Sequence, residues 1–196
     1  MSKSSIIWII VGGLLLLMGG CSISKYNGLI AQEESLSAQW SNVESSYQRR
    51  ADLIPNLVST VKGYADFEQK TLTDVIEARA KATSISVDPS NLSNESINQF
   101  QQAQDGLSQS LGRLLVSVER YPDLKANQNF LALQSQLEGT ENRINVERNR
   151  YNTAVKNFNT SIRTFPNSIF AGFLGMTPKT GFKAAEGSDK APEVKF

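Results

Sequence analysis

Apolar side chains recur every seven residues along the last third of the chain: Phe130, Leu137, Ile144, Tyr151, Phe158 and Phe165. Val155 and Ile162 widen the stripe. Seven residues are close to two helical turns, so the repeat predicts one long helix over 123–164 with coiled-coil-like packing. The same spacing occurs upstream at Leu29, Leu36 and Val43, with Trp40 and Tyr47 beside them. It continues through Ile54, Val58, Val61, Ala65, Leu72, Val75 and Ile76, which predicts a helix from Ser24 to Thr83. Pro55 lacks an N–H and crowds the preceding turn, so a kink or restart is expected near Ile54. A middle helix over 95–120 is marked by Ile97, Phe100, Leu107, Leu111, Leu114, Leu115 and Val118. Asp88-Pro89 reads as a helix-start signal before it. Tyr121-Pro122-Asp123 permits only a short antiparallel return. The expected fold is all-α: an antiparallel bundle of three long helices, three to four counting the pieces of the first.

The N-terminus follows a different pattern. Met1 to Ser5 are polar with one lysine, Lys3, and Ile6 to Ile23 carry no formal charge. At ~1.5 Å per residue this stretch spans roughly 27 Å, near the ~30 Å of a bilayer's hydrocarbon core. A single-pass anchor is expected through Ile6, Ile7, Trp8, Ile9, Ile10, Val11, Leu14, Leu15, Leu16 and Leu17. Gly12 and Gly19, like Gly13 and Gly20, are seven apart and form a small-residue stripe where membrane helices can approach closely. An alternative stands beside the anchor. Met18-Gly19-Gly20-Cys21 resembles a lipobox, in which an acylated Cys21 would become the first residue and residues 1–20 a cleaved signal. Lys3 and the α-amine on one side, against Lys25 with Glu33 and Glu34 beyond it on the other, favour an exported bundle under the positive-inside rule.

Composition narrows the chemistry. The chain of 196 residues has a net charge of +1, too little to gather nucleic acid. It has no histidine, which removes the commonest general base and metal ligand. Cys21 is the single cysteine, so an intrachain disulfide is excluded. No glycine-rich phosphate loop occurs, and no carboxylate pair sits in a catalytic context. No enzyme, cofactor, metal or small-molecule substrate is expected.

Two segments are candidates for contact with partners. Arg49, Arg50, Asp52 and Asn56 surround the expected break at Pro55, either repairing it locally or offering a docking patch. After Phe165-Pro166, a helical Asn167–Met176 would place Ile169, Phe170, Phe173 and Leu174 on one face, with Phe182 a second anchor. Such a segment can cap the bundle, enter a membrane interface or dock on a neighbouring subunit. The chain thus divides into an anchor or signal (1–23), a bundle (24–166), an apolar docking segment (167–183) and a loose tail (184–196).

Four stretches carry a resemblance. They are Tyr26-Asn27 with Leu29; Arg49 to Val58 with Val61-Lys62-Gly63-Tyr64 and Ala78-Arg79; Glu119 with Tyr121 to Asn127 and Phe130; and Thr140-Glu141-Asn142 through Arg150-Tyr151-Asn152, then Phe165-Pro166 and Ala171-Gly172. From about Tyr26 to Phe182 the sequence resembles the LemA family of bacterial membrane-associated proteins. The resemblance implies an anchored helical bundle without enzymatic activity. Relatives are often encoded near membrane metalloproteases of quality control. Phe67-Glu68 stands where relatives often have a histidine before the glutamate, so no role that needs that imidazole applies.

The expected function is a non-enzymatic scaffold of the bacterial envelope that binds lipid and self-associates. The alternative is an adaptor that regulates a membrane enzyme such as a metalloprotease.

Overall fold

The computed structural model describes residues 3–64, 68–89 and 92–183. Within its first helix, the side chains of residues 3–7, 9–11, 14, 15, 17, 18 and 21 lie outside the description. Six helices and no strand occur among the described residues: α1 (Lys3–Lys62), α2 (Gln69–Ser84), α3 (Asn94–Val118), α4 (Pro122–Lys125), α5 (Gln128–Arg163) and α6 (Asn167–Phe173).

The spine is α1 against α5. Leu29, Leu36, Trp40, Val43 and Tyr47 share a buried cluster with Ile144, Tyr151, Val155, Phe158 and Ile162. Ile54, Leu57, Val58 and Val61 share a second cluster with Phe130 and Leu137. Numbers rise along one helix as they fall along the other, so the two are antiparallel. Leu72 and Val75 of α2 and Leu107, Leu111, Leu114 and Val118 of α3 complete the second cluster. Ile97 and Phe100 of α3 reach the first. The result is an up-down-up-down bundle of α1, α2, α3 and α5.

The heptad reading of α5 holds from Phe130 to Phe158, all buried. It fails at Phe165, because α5 ends at Arg163 and leaves that ring exposed. Ile76, expected in the core, is also exposed. Asp88-Pro89 does not start α3. The helix begins five residues later at Asn94, where the Ser93 hydroxyl accepts the Ser96 N–H and the Ser96 hydroxyl accepts the Ser93 N–H. This reciprocal pair satisfies two donors that a helix start otherwise leaves open.

Pro55 brings the main correction. It does not restart the helix, which runs on to Lys62; the break falls after Lys62, at Gly63 and Tyr64. Proline denies the Ala51 carbonyl, one turn earlier, its usual donor. Arg79 of α2 supplies the replacement, donating from Nε at 2.8 Å. Ala51 is buried, so Arg79→Met is expected to cost about 1–3 kcal/mol by stranding that carbonyl. Pro55→Ala restores a local N–H, and in that background Arg79→Met should cost under ~0.5 kcal/mol. Thermal melts of the four-member cycle check this; an equal Arg79 cost in both backgrounds would refute the repair.

No helix, searched over the described residues, is long and apolar enough to cross a membrane. Of the anchor expected from the sequence, only Trp8 and Leu16 have described side chains, and both are exposed. Ile6, Ile7, Ile9, Ile10, Val11, Leu14, Leu15, Leu17 and Cys21 lie outside the described side chains, and Ala65, Phe67 and residues 184–196 outside the described residues. The backbone of α1 is helical throughout Lys3–Lys62. At ~1.5 Å per residue it is roughly 90 Å long, and Leu29 is the first of its described residues in a buried cluster.

Candidate interaction site

Residues expected to form one patch at Pro55 part company. Arg50 turns inward and is 2% exposed. Its Nη2 donates to the Gln104 carbonyl at 3.1 Å and to Gln104 Oε1 at 2.8 Å. Its Nη1 reaches Ser108 Oγ at 2.6 Å and Glu141 Oε2 at 3.0 Å. The guanidinium also lies over the Tyr47 ring, 5.0 Å from its centre. Gln104 Nε2 in turn donates to the Ala82 carbonyl of α2. One cation therefore ties α1 to α3 and α5, and Gln104 carries the tie on to α2. The planar fork of arginine suits such divergent acceptors, whereas an ammonium would serve fewer. Arg49 remains exposed and lines an open cleft of about 350 Å³ with Gln136, Gly139, Thr140 and Arg143. Asp52 is exposed and accepts from Gln48 Nε2 at 2.8 Å; Asn56 is exposed as well.

The tail segment also splits. Ala171 is buried, and Phe170, Leu174 and Met176 pack against the first core cluster. Phe182 enters that cluster, stacked 5.8 Å from Trp40 and edge-on to Tyr151 at 5.5 Å. Ile169 and Phe173 point away and are exposed. Beyond α6 the chain runs back along α5 as an extended strap, held through its backbone. Asn159 donates to the Lys179 carbonyl and accepts its N–H, both at 2.8 Å. Asn152 does the same for Phe182, at 3.1 and 2.8 Å. Gln101 of α3 repeats it for Lys183 at 3.2 Å each way. Arg148 adds a donor to the Lys183 carbonyl and covers the Phe182 ring at 4.8 Å. A Cβ at Gly181 would fall 2.6 Å from Asn152 Oδ1, so a side chain there would push that amide off the Phe182 backbone.

Sequence reasoning missed these amides, because polar residues beside a helical stripe read as solvated. A signal existed: Asn152 and Asn159 each follow an aromatic of the seven-residue repeat, Tyr151 and Phe158. Of the glycine stripe, a Cβ built at Gly12, Gly13, Gly19 or Gly20 would meet no atom within 4 Å.

Tyr151 donates its hydroxyl to the Thr180 carbonyl at 3.0 Å. Burial pushes its phenol well above the ordinary range. Burial also raises Tyr47, partly offset by Arg148 and Arg50. A phenol whose folded pKa is raised contributes stability below the unfolded value of ~10 and loses it as pH climbs above that. The melting temperature is therefore expected to fall above about pH 10. Tyr151→Phe should flatten part of that fall while slightly lowering stability at neutral pH; an unchanged alkaline slope would contradict the assignment.

Among the described residues no group of three or more Cys, Asp or Glu side chains could hold a metal ion. A groove of about 560 Å³ between α1 and α5 is open and lined by Gln32, Gln39, Asn149, Arg150 and Thr153 among others. Arg150 is engaged with Glu147 at 2.9 Å. What the geometry offers is surfaces and backbone-binding amides.

Comparison with known proteins gives the same direction. The LemA family model matches residues 39–196. Protein LemA of Metamycoplasma hominis is 24% identical over 125 residues, covering 62% of this chain and 52% of that protein. Magnetosome protein MamQ of Magnetospirillum gryphiswaldense is 25% identical over 145 residues, 64% of this chain and 53% of its own length. Magnetosome protein MamQ 2 of Paramagnetospirillum magneticum is 25% identical over 189 residues, 87% and 66% respectively. The chain thus spans about half to two thirds of the curated relatives it matches. Their names specify no reaction.

Proposed function

The chain belongs to the LemA family, and from that premise we propose that it is a non-enzymatic scaffold, anchored in the bacterial envelope through residues 6–23 and self-associating there. One observation carries the reading. The uncharged stretch Ile6–Ile23 and the core residues Leu29–Val61 belong to one uninterrupted helix. Anchor and bundle are then a single rod, and the exposed glycines Gly13, Gly19 and Gly20 with half-exposed Gly12 give neighbouring rods a place to approach. Lys3 with the α-amine, against the single Lys25 on the bundle side, orients the bundle outward.

Intact mass of the membrane-extracted protein tests the anchor. Retained residues 1–20 support it; a chain starting at an acylated Cys21 supports the lipoprotein alternative and overturns the helical anchor. Light scattering in detergent tests self-association, with Gly12→Leu/Gly19→Leu expected to shift the mass downward. A monomer at all workable concentrations would count decisively against the scaffold.

The adaptor reading has one observation in its favour. The cleft at Arg49 and Arg143 has two cations and no carboxylate among its lining residues, which suits an acidic surface of a membrane enzyme. Arg49→Glu/Arg143→Glu should then abolish co-purification of a membrane protease without changing helicity.

A further inference from the structure

We infer that the outer face of α6, formed by Ile169 and Phe173 with the preceding Phe165, is a lipid-contact ridge that seats the near end of the bundle on the membrane surface. Phe165 is 78% exposed, Ile169 50% and Phe173 88%. The three follow one another at intervals of four residues, which is one helical face across Ile169 and Phe173. The opposite face is spent: Ala171 is buried, and Phe170 and Leu174 pack on the core. The exposure is therefore not a by-product of a loose segment. The helix is fixed by its inner side, and the strap bound by Asn159, Asn152 and Gln101 holds it from behind.

Position identifies the occupant. α6 begins just past the C-terminal end of α5, and its Ala171 joins the cluster in which Ile162, in the last turn of α5, and Leu29 of α1 are buried. From Leu29 backwards α1 leaves the bundle, with Ile23 exposed and the uncharged stretch beginning there. The ridge thus lies at the end of the bundle from which the apolar helix emerges. Ile23 lies six helical steps before Leu29, roughly 9 Å at ~1.5 Å each. That is the depth range of a bilayer's interfacial layer, where apolar faces bury by ~5–10 Å. Lys25 on α1 and Arg163 in the last turn of α5 are exposed at the same end, and both suit headgroup phosphates.

Area argues against a second copy. At ~200 Å² per large side chain the three exposed portions amount to about 400 Å². A stable protein interface needs ~800 Å² on each partner. A patch of this size is ample for an interfacial contact that supplements an anchor, and too small to hold two bundles together by itself.

The inference rests on the anchor reading, and tryptophan fluorescence separates the two. Trp8 lies in the uncharged stretch, and Trp40 is fully buried in the core. The full chain is reconstituted in vesicles of phosphatidylcholine and phosphatidylglycerol carrying bromine either near the headgroup or deep in the acyl chain. Wild type against Trp8→Phe reads the anchor: Trp8 lies two residues inside one end of the stretch, so its emission should be quenched, most by shallow bromine. Trp8→Phe/Phe173→Trp against Trp8→Phe reads the ridge: the added emission should fall about twofold with shallow bromine and much less with deep bromine. Phe173 is exposed, so the substitution should leave the melting temperature unchanged, which circular dichroism verifies. If Trp8 is quenched while the emission added by Phe173→Trp is not, the ridge is overturned and the anchor stands. The reverse overturns the anchor and leaves a peripheral lipid contact. Unquenched but concentration-dependent blue-shifted emission makes the face an interface between copies and overturns the inference.

Discussion

Arg50→Ala is expected to lower stability by about 3 kcal/mol, a drop of roughly 6–12 °C in melting temperature. The cost does not come mainly from the ion pair. Glu141 is half exposed and can return to water when its partner is lost. Gln104 cannot: it is buried, and its Oε1 accepts from Arg50, whereas its carbonyl keeps Ser108 Oγ as a donor. Lost packing of the arginine stem on Tyr47 adds to this. Arg50→Lys keeps the charge without the fork and should recover less than half of the loss. Arg50→Met/Gln104→Leu removes the guanidinium together with its Oε1 acceptor, leaves the Gln104 carbonyl to Ser108 Oγ and frees only the Ala82 carbonyl; it should be milder than Arg50→Ala, which strands Oε1 and empties the stem's space as well. Thermal denaturation in detergent ranks the three. If Arg50→Lys matched wild type, charge alone would explain the site and the divergent hydrogen bonds would be incidental.

Trp40→Ala should cost about 3–5 kcal/mol, the range for emptying a large aromatic site. Trp40 is fully buried and meets Phe100 at 5.2 Å, Tyr151 at 5.4 Å and Phe182 at 5.8 Å. Helices α3 and α5 and the strap lose their shared partner on α1 at once. A second readout follows from the stacking on Phe182. With that ring loosened, trypsin should cut after Lys179 and Lys183 far sooner than in wild type, and before the bundle unfolds. Trp40→Phe should fall between wild type and alanine in both assays. Strap cleavage at the wild-type rate in Trp40→Ala would mean that Asn152, Asn159 and Gln101 alone hold it.

The bundle is legible because its cores obey a period. Leu29, Leu36 and Val43 on α1 and Phe130 to Phe158 on α5 are buried as their spacing predicts. Periodicity cannot show where repair comes from. Pro55 reads as a break because the donor to Ala51 is 28 residues away on another helix. Nor does it separate Arg49 from Arg50: adjacent side chains on a helix diverge by about 100°, and only the partner helix decides which is buried. In the tail, four apolar residues read as one face. Ile169 and Phe173 instead part from Phe170 and Leu174, since the core takes one side of α6 and leaves the other. The strap is least legible. Its bonds are made to backbone, which no pattern of side chains in 179–183 records.

A domain on a slack tether sweeps a wide volume and meets its neighbours in every attitude. The unbroken α1 removes that freedom in advance. With residues 6–23 held in a bilayer as proposed, each bundle stands like a post whose heading is set by its footing. Two copies that drift together then have little rotational entropy left to lose, so weak lateral contacts suffice to order them.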